Sequence, residues 1–110
     1  MTTFLLSYDV HGTTLTADQM LGFIKENRNI LEWYYPFDGA FIFKSNAETL
    51  TLQQSFMSIL GTGKFIVTPI YDGSTGGVLT AEMWAWIKGA KTVPNYVPLP
   101  PALNLLRRIE

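Results

Sequence analysis

The chain has 110 residues, 47% of them hydrophobic and only 15% charged, and eight Lys and Arg against nine Asp and Glu leave a net charge of −1. This length predicts one domain, and the absence of cysteine excludes a disulfide framework, a thiolate metal site and a thiol nucleophile. Without an excess of positive charge, long nucleic acid is a disfavoured partner. The scarcity of charge instead predicts that part of the surface meets another molecule.

The amino terminus, MTTFLLSYDV, has no basic segment and reaches Ser7 after only three apolar residues. This pattern fits neither a signal peptide nor a transmembrane helix. The lack of cysteine agrees with a reducing compartment. We therefore expect a cytoplasmic protein without a membrane partner.

The first half of the chain predicts a strand, a helix and a hairpin. Residues 3–8 are strand formers, and Thr16 with Gln19 has the spacing of a capping box at a helix start. The aromatic run in residues 30–35 suits a second strand. Residues 36–39 have the composition of a turn, after which residues 40–44 form the returning strand.

The second half predicts another helix and a fourth strand. Ser45 and Glu48 repeat the capping-box spacing, and Gly61 marks the end of the helix that follows. Residues 64–71 read as a strand. Pro69 within it cannot donate a ladder hydrogen bond, which places this strand at a sheet edge or requires a bulge.

The resulting order, β-α-β-β-α-β, predicts an α+β fold of the ferredoxin-like type with a four-stranded antiparallel sheet. Residues 1–89 form the predicted domain, including a short extra helix that opens at Thr80. Residues 90–110 are predicted to be a proline-rich arm with a short carboxy-terminal helix. The arm carries too many apolar side chains to remain in water, so we expect it to dock on its own sheet or on a partner's.

A candidate catalytic pair, Asp9 and His11, lies in the stretch FLLSYDVHG, where the first strand enters a loop. The Asp9 carboxylate can ligate Mg²⁺, and His11 can act as a general base or a second ligand. A turn-capping aspartate and an exposed loop histidine are the favoured explanation of the pair. Asp38 and Asp72 each precede a glycine, and turn chemistry accounts for both.

A second candidate site is an aromatic surface for a ligand or an interface. Alternation puts Trp33 and Tyr35 on one face of the second strand and Tyr34 on the other. Such rings can stack on a base or small nucleotide, but no basic cluster accompanies them, so burial beneath the carboxy-terminal segment or a second copy is the favoured interpretation. The six residues are Trp33, Tyr34, Tyr35, Phe37, Trp84 and Trp86.

The stretches TFLLSYDVHG, LEWYYPFDGAFIFKSN and KFIVTPI, spread over residues 3–88, resemble small bacterial SinR-like proteins. That resemblance implies a ferredoxin-like fold, which is shared with the dimeric nuclease-like proteins of CRISPR adaptation and with virulence-associated D ribonucleases. In the ribonuclease-like relatives the aspartate closing the first strand is the proposed metal or catalytic residue, and Asp9 matches that position. This chain departs from them in having no arginine-rich segment after that strand.

Three functions remain open from the sequence. The first is a non-catalytic homodimeric or larger binding or regulatory module of bacterial, phage or mobile-element origin, with no resident cofactor and a protein partner. The second is a Mg²⁺-dependent endoribonuclease in which two copies pair their Asp9 carboxylates, and the third is a small-nucleotide binder. The charge balance and the lack of HExxH, GxGxxG and phosphate-loop motifs favour the first. We expect association through the open sheet face or the edge of the fourth strand.

Overall fold

The computed structural model describes residues 1–71 and 73–89. Asp72 and the predicted arm at residues 90–110 lie outside these ranges. The described residues form an α+β fold in which three α-helices pack on a four-stranded antiparallel sheet. The strands are β1 (Thr2–Tyr8), β2 (Glu32–Phe37), β3 (Ala40–Ser45) and β4 (Phe65–Ile70), and the helices are α1 (Ala17–Glu26), α2 (Thr49–Leu60) and α3 (Ala81–Ile87).

The strands lie in the order β2-β3-β1-β4, and every neighbouring pair is antiparallel. The central strand β1 pairs with β3 from Thr2 opposite Ser45 onward and with β4 from Thr3 opposite Ile70 onward. Among the described residues β4 has a partner on one side only. The edge position predicted from Pro69 is therefore confirmed, since an edge strand tolerates a residue that has no N–H to donate.

Two of the predicted helix starts are confirmed. The Thr16 hydroxyl accepts a hydrogen bond from the Gln19 N–H at 3.1 Å, and the Gln19 side chain accepts one from the Thr16 N–H at 2.9 Å. The Thr80 hydroxyl accepts from the Met83 N–H at 3.1 Å at the start of α3. Each bond satisfies a backbone donor that a helix would otherwise leave unpaired.

The capping box predicted from Ser45 and Glu48 is wrong. Ser45 is fully buried at the end of β3, and its hydroxyl accepts from the Ala47 N–H at 2.9 Å. Glu48 holds the N-cap position of α2 without a side-chain hydrogen bond. The spacing gave a wrong prediction because Ser45 is still part of β3. Its hydroxyl accepts from the backbone two residues later and not from the first turn of α2.

The second strand runs two residues later than predicted, so Pro36 and Phe37 belong to β2 and not to the turn. The pairing with β3 shifts by one residue between Tyr34 and Phe37, which is a β-bulge. A bulge on an edge strand accommodates a proline without breaking the hairpin. The turn itself contracts to Asp38 and Gly39.

The sheet is apolar on both faces and therefore has two cores. The larger core lies between the sheet and the helices α1 and α2. The smaller core lies on the opposite face, which we call the second face, where α3 covers Tyr34 and Ile42 with Met83, Trp86 and Ile87. Alternation along β2 predicts that Trp33 and Tyr34 lie on opposite faces of the sheet, and the structure places Trp33 in the larger core and Tyr34 in the smaller one.

Two glycines predict opposite effects of the same substitution. Gly39 has φ +85°, and an added Cβ would lie 3.1 Å from the Tyr8 carbonyl oxygen, so Gly39→Ala should lower the free energy of unfolding by about 1–2 kcal/mol. Gly22 lies within α1 with nothing within 4 Å of an added Cβ, so Gly22→Ala should raise it by about 0.5–1 kcal/mol. Urea unfolding of both variants measures the pair, and two changes of equal sign would contradict the described backbone.

Candidate functional site

The Asp9 carboxylate is part of a turn. Asp9 and His11 are both exposed just beyond β1, and the Asp9 Oδ1 atom accepts a hydrogen bond from the His11 N–H at 3.0 Å. Asp9 thereby caps the short 3-10 turn Val10–Gly12. A Cβ on Gly12 would lie 2.8 Å from Asp9 Oδ2, so the glycine leaves room for the carboxylate. The structure supports the turn-capping interpretation of Asp9 with a specific contact.

The described part of the chain contains no group of three or more His, Asp or Glu side chains placed to hold a metal ion.

Asp38 stabilises the hairpin, because its Oδ1 atom accepts a hydrogen bond from the Tyr35 hydroxyl at 2.9 Å. Burial raises the pKa of Tyr35, and the hydrogen bond to Asp38 and the Asp38 charge raise it further. Burial raises the pKa of Tyr8 as well, again with a contribution from Asp38. Both phenols therefore stay protonated at neutral pH and act as structural groups.

The six aromatic candidates have different environments. Trp33, Tyr34 and Trp86 are each at most 5% exposed and belong to the two cores. The half-buried Tyr35 stacks on Phe41 with ring centroids 4.8 Å apart. Phe37 is 61% exposed, and Trp84 is half-buried at the margin of the second core. Phe37 and Trp84 line an open pocket, so the structure brings these two candidates into one site.

A polar contact that the sequence analysis did not predict holds α3 on the second face. Lys44 is only 8% exposed, and its Nζ donates to the Trp86 carbonyl oxygen at 2.8 Å near the end of α3. The ammonium also lies 4.6 Å from the centroid of the Trp86 ring, close enough for a cation–π interaction. The Trp86 Nε1–H donates to Glu32 at 2.7 Å. We call Glu32, Lys44 and Trp86 the α3 anchor.

The anchor is assembled across the sheet, because Glu32 on β2 lies opposite Lys44 on β3. The Lys44 ammonium lies near the last carbonyl groups of α3, whose partial negative charge favours a cation. A signal for this contact is present in AFIFKS, where Lys44 interrupts an apolar strand. A buried lysine needs hydrogen-bond acceptors, and the Trp86 carbonyl supplies one.

Beside α3 on the second face lies an apolar cavity of about 250 Å³, which we call the second-face pocket. Its floor comes from β1, β3 and β4, its sides from α3 and from the segment before it, and its rim from the end of β2. Among the described residues that line it, none has a charged side chain and only Thr75 has a polar one. The lining residues are Leu5, Phe37, Ile42, Ile70, Thr75, Gly76, Gly77, Val78, Leu79, Trp84 and Ile87.

The apolar surface continues past the pocket rim. A neighbouring groove shares Phe37, Val78 and Leu79 with the pocket and extends to Pro36 and Met83. Val78 is 97% exposed although it is an apolar residue in both linings. The glycine-rich segment before α3 thus presents apolar side chains to a cavity, a feature that its loop composition did not predict.

A second groove lies at the sheet edge, between α2 and β4, and measures about 520 Å³. Met57 and Ile66 line it and are 48% and 68% exposed. We call it the edge groove. It is adjacent to the side of β4 that has no strand partner among the described residues.

Comparison of the chain with models of protein families, with curated protein sequences and with solved structures found no match. In residues 1–71 and 73–89, no helix has both the length and the apolar character needed to cross a bilayer.

The α3 anchor predicts that Lys44 stabilises the fold beyond its aliphatic packing. Lys44→Met keeps an unbranched side chain but leaves the Trp86 carbonyl without this donor, so the free energy of unfolding should fall by about 1–3 kcal/mol. The exposed Lys64 provides the control, since Lys64→Met should change it by less than about 0.5 kcal/mol. Chemical denaturation measures both variants, and equal effects would show that the anchor contributes nothing specific.

Two substitutions of Asp9 distinguish a turn-capping role from a catalytic one. Asp9→Ala should lower the free energy of unfolding by about 1 kcal/mol because the His11 N–H loses its acceptor, whereas Asp9→Asn should stay within a few tenths because asparagine caps equally well.

The same two variants also test the ribonuclease alternative. A carboxylate that binds Mg²⁺ would lose its function in both, since the amide has no charge. Mg²⁺-dependent cleavage of RNA by the wild type that disappears in Asp9→Asn would contradict a purely structural role.

Proposed function

We propose that this chain is a non-catalytic binding module that acts as a homodimer or larger homo-oligomer, with copies associating through the β4 edge. The observation that carries this proposal is the free side of β4, which has no strand partner within the described residues. A free strand edge presents unpaired N–H and C=O groups and is a template for pairing with another chain.

The composition of this edge supports association. Natural edge strands are protected by charged side chains, bulges or prolines, but β4 reads FIVTPI and holds no charge. Pro69 protects only its end. Beside the strand, the edge groove exposes Met57 and Ile66. A twofold contact would bury each of these apolar side chains twice, once in each copy.

The fold proposed for the module is ferredoxin-like. Its support is the strand order β2-β3-β1-β4 with antiparallel neighbours, combined with helices that follow β1 and β3. The extra helix α3 then covers the face opposite α1 and α2. The resemblance to SinR-like proteins agrees with this arrangement and with a bacterial or phage origin in the cytoplasm.

The two alternatives have narrower support. A Mg²⁺-dependent endoribonuclease is supported by the exposure of Asp9 at the end of β1. A small-nucleotide binder is supported by Phe37 and Trp84, whose rings line one pocket and can stack on a base. The lining residues of that pocket that lie within 1–71 and 73–89 include no Lys or Arg to meet a phosphate, which favours the binding module over the nucleotide binder.

The proposal predicts that one charge on β4 disrupts the assembly. Ile66→Lys should weaken self-association by at least about 100-fold, because an apolar contact worth about 1.5–3 kcal/mol is lost in each of two copies. Multi-angle light scattering over a dilution series measures the mass. Val78→Lys is the matched control, since Val78 is also exposed but lines the second-face pocket and not the edge groove.

A wild-type mass of 12.4 kDa at micromolar concentration would overturn the proposed association. Dissociation by Val78→Lys with no effect of Ile66→Lys would place the interface at the second-face pocket instead.

A further inference from the structure

The second-face pocket has the properties of a site that is filled by apolar groups. Its volume is about 250 Å³, and among the lining side chains that the structure describes only that of Thr75 is polar. Each buried water needs two to four polar partners, and this lining provides few. Replacing poorly bonded water by apolar groups is therefore favourable.

The last described residues of the chain lie close to this pocket. Ile87, the last residue of α3, is part of the lining. Two residues later Gly89 adopts φ +101°, a glycine conformation that turns the chain away from a helix axis. Residues 90–110 continue from this point and lie outside the described part of the chain.

The composition of that continuation matches the pocket. From residue 92 to residue 106 the sequence TVPNYVPLPPALNLL holds no charged side chain, and charges return only at Arg107 and Arg108. An uncharged pocket and an uncharged apolar run are complementary, since neither has to desolvate an ion. The apolar members of the run include Val93, Tyr96, Val97, Leu99, Leu103 and Leu106.

We propose that the uncharged run of residues 92–106 fills the second-face pocket of its own chain. Covalent attachment close to the pocket gives the run an effective concentration on the order of millimolar, which free partners rarely reach. Four prolines in the run restrict its unbound conformations and reduce the entropy lost on docking. Extended residues span about 3.3 Å each, so a few residues after Gly89 suffice to cross the pocket.

A photo-crosslinking experiment on the full chain tests this proposal. The chain has no cysteine, so Val78→Cys places a single thiol on the pocket rim, where Val78 is 97% exposed. That thiol is labelled with a benzophenone maleimide. The labelled protein is then irradiated and digested, and the crosslinked fragments are identified by mass spectrometry. Gln54→Cys is the control, because Gln54 is exposed on α2, across the sheet from the pocket.

The expected result is that adducts from position 78 map to residues 92–106, with a yield several-fold above that from position 54. Replacing Val97 and Leu99 by Ser should reduce this yield several-fold, while replacing Arg107 and Arg108 by Ser should not. Adducts confined to residues 1–89, or equal yields from both positions, would overturn the proposal.

Mixing chains of natural and ¹⁵N composition separates docking in the same chain from docking in a second copy. Adducts should join fragments of one isotopic composition, and mixed adducts would overturn docking within the same chain. The inference does not depend on association through β4, since a monomeric chain would still give the expected adducts.

Discussion

The contact between Lys44 and the end of α3 is the constraint on which the second face depends. A four-stranded sheet with apolar side chains on both faces cannot leave one of them in water, and α1 and α2 cover only one. The helix α3 has few residues and cannot be stable alone. The buried ammonium of Lys44, bonded to the Trp86 carbonyl and lying near the Trp86 ring, ties this short helix to the sheet.

The position of α3 on the sheet also leaves room for the second-face pocket. With Trp86 directed into the core against Tyr34, at 4.6 Å between ring centroids, the neighbouring Trp84 is left at the margin. Ile87 and the segment before α3 line a cavity above the sheet and do not fill it. The same packing that buries most of the second face therefore leaves a cavity beside α3, and none of the described residues that line it is charged.

The polar pair after β1 and the exposed apolar surfaces have different roles in the structure. Asp9 and His11 are joined through the backbone of a capped turn, so the carboxylate has a structural partner. The features that favour binding are instead apolar: the free side of β4 with Ile66, and the pocket rim with Phe37 and Val78. Only 15% of the residues are charged, and exposed apolar surfaces of this kind usually mark contact sites in proteins.

Local patterns in the sequence determined the elements of this protein. Alternation predicted that Trp33 and Tyr34 lie on opposite faces of β2, the Thr16 capping box predicted the start of α1, and Pro69 predicted an edge strand or a bulge. These features depend on residues close together in the chain.

Only the tertiary structure decided that Ser45 would not cap α2, that Lys44 would be buried, and that α3 would frame a pocket. Those outcomes depend on partners far apart in sequence, as Lys44 and Trp86 are. No local spacing encodes such pairs, because they come together only when the sheet and α3 pack.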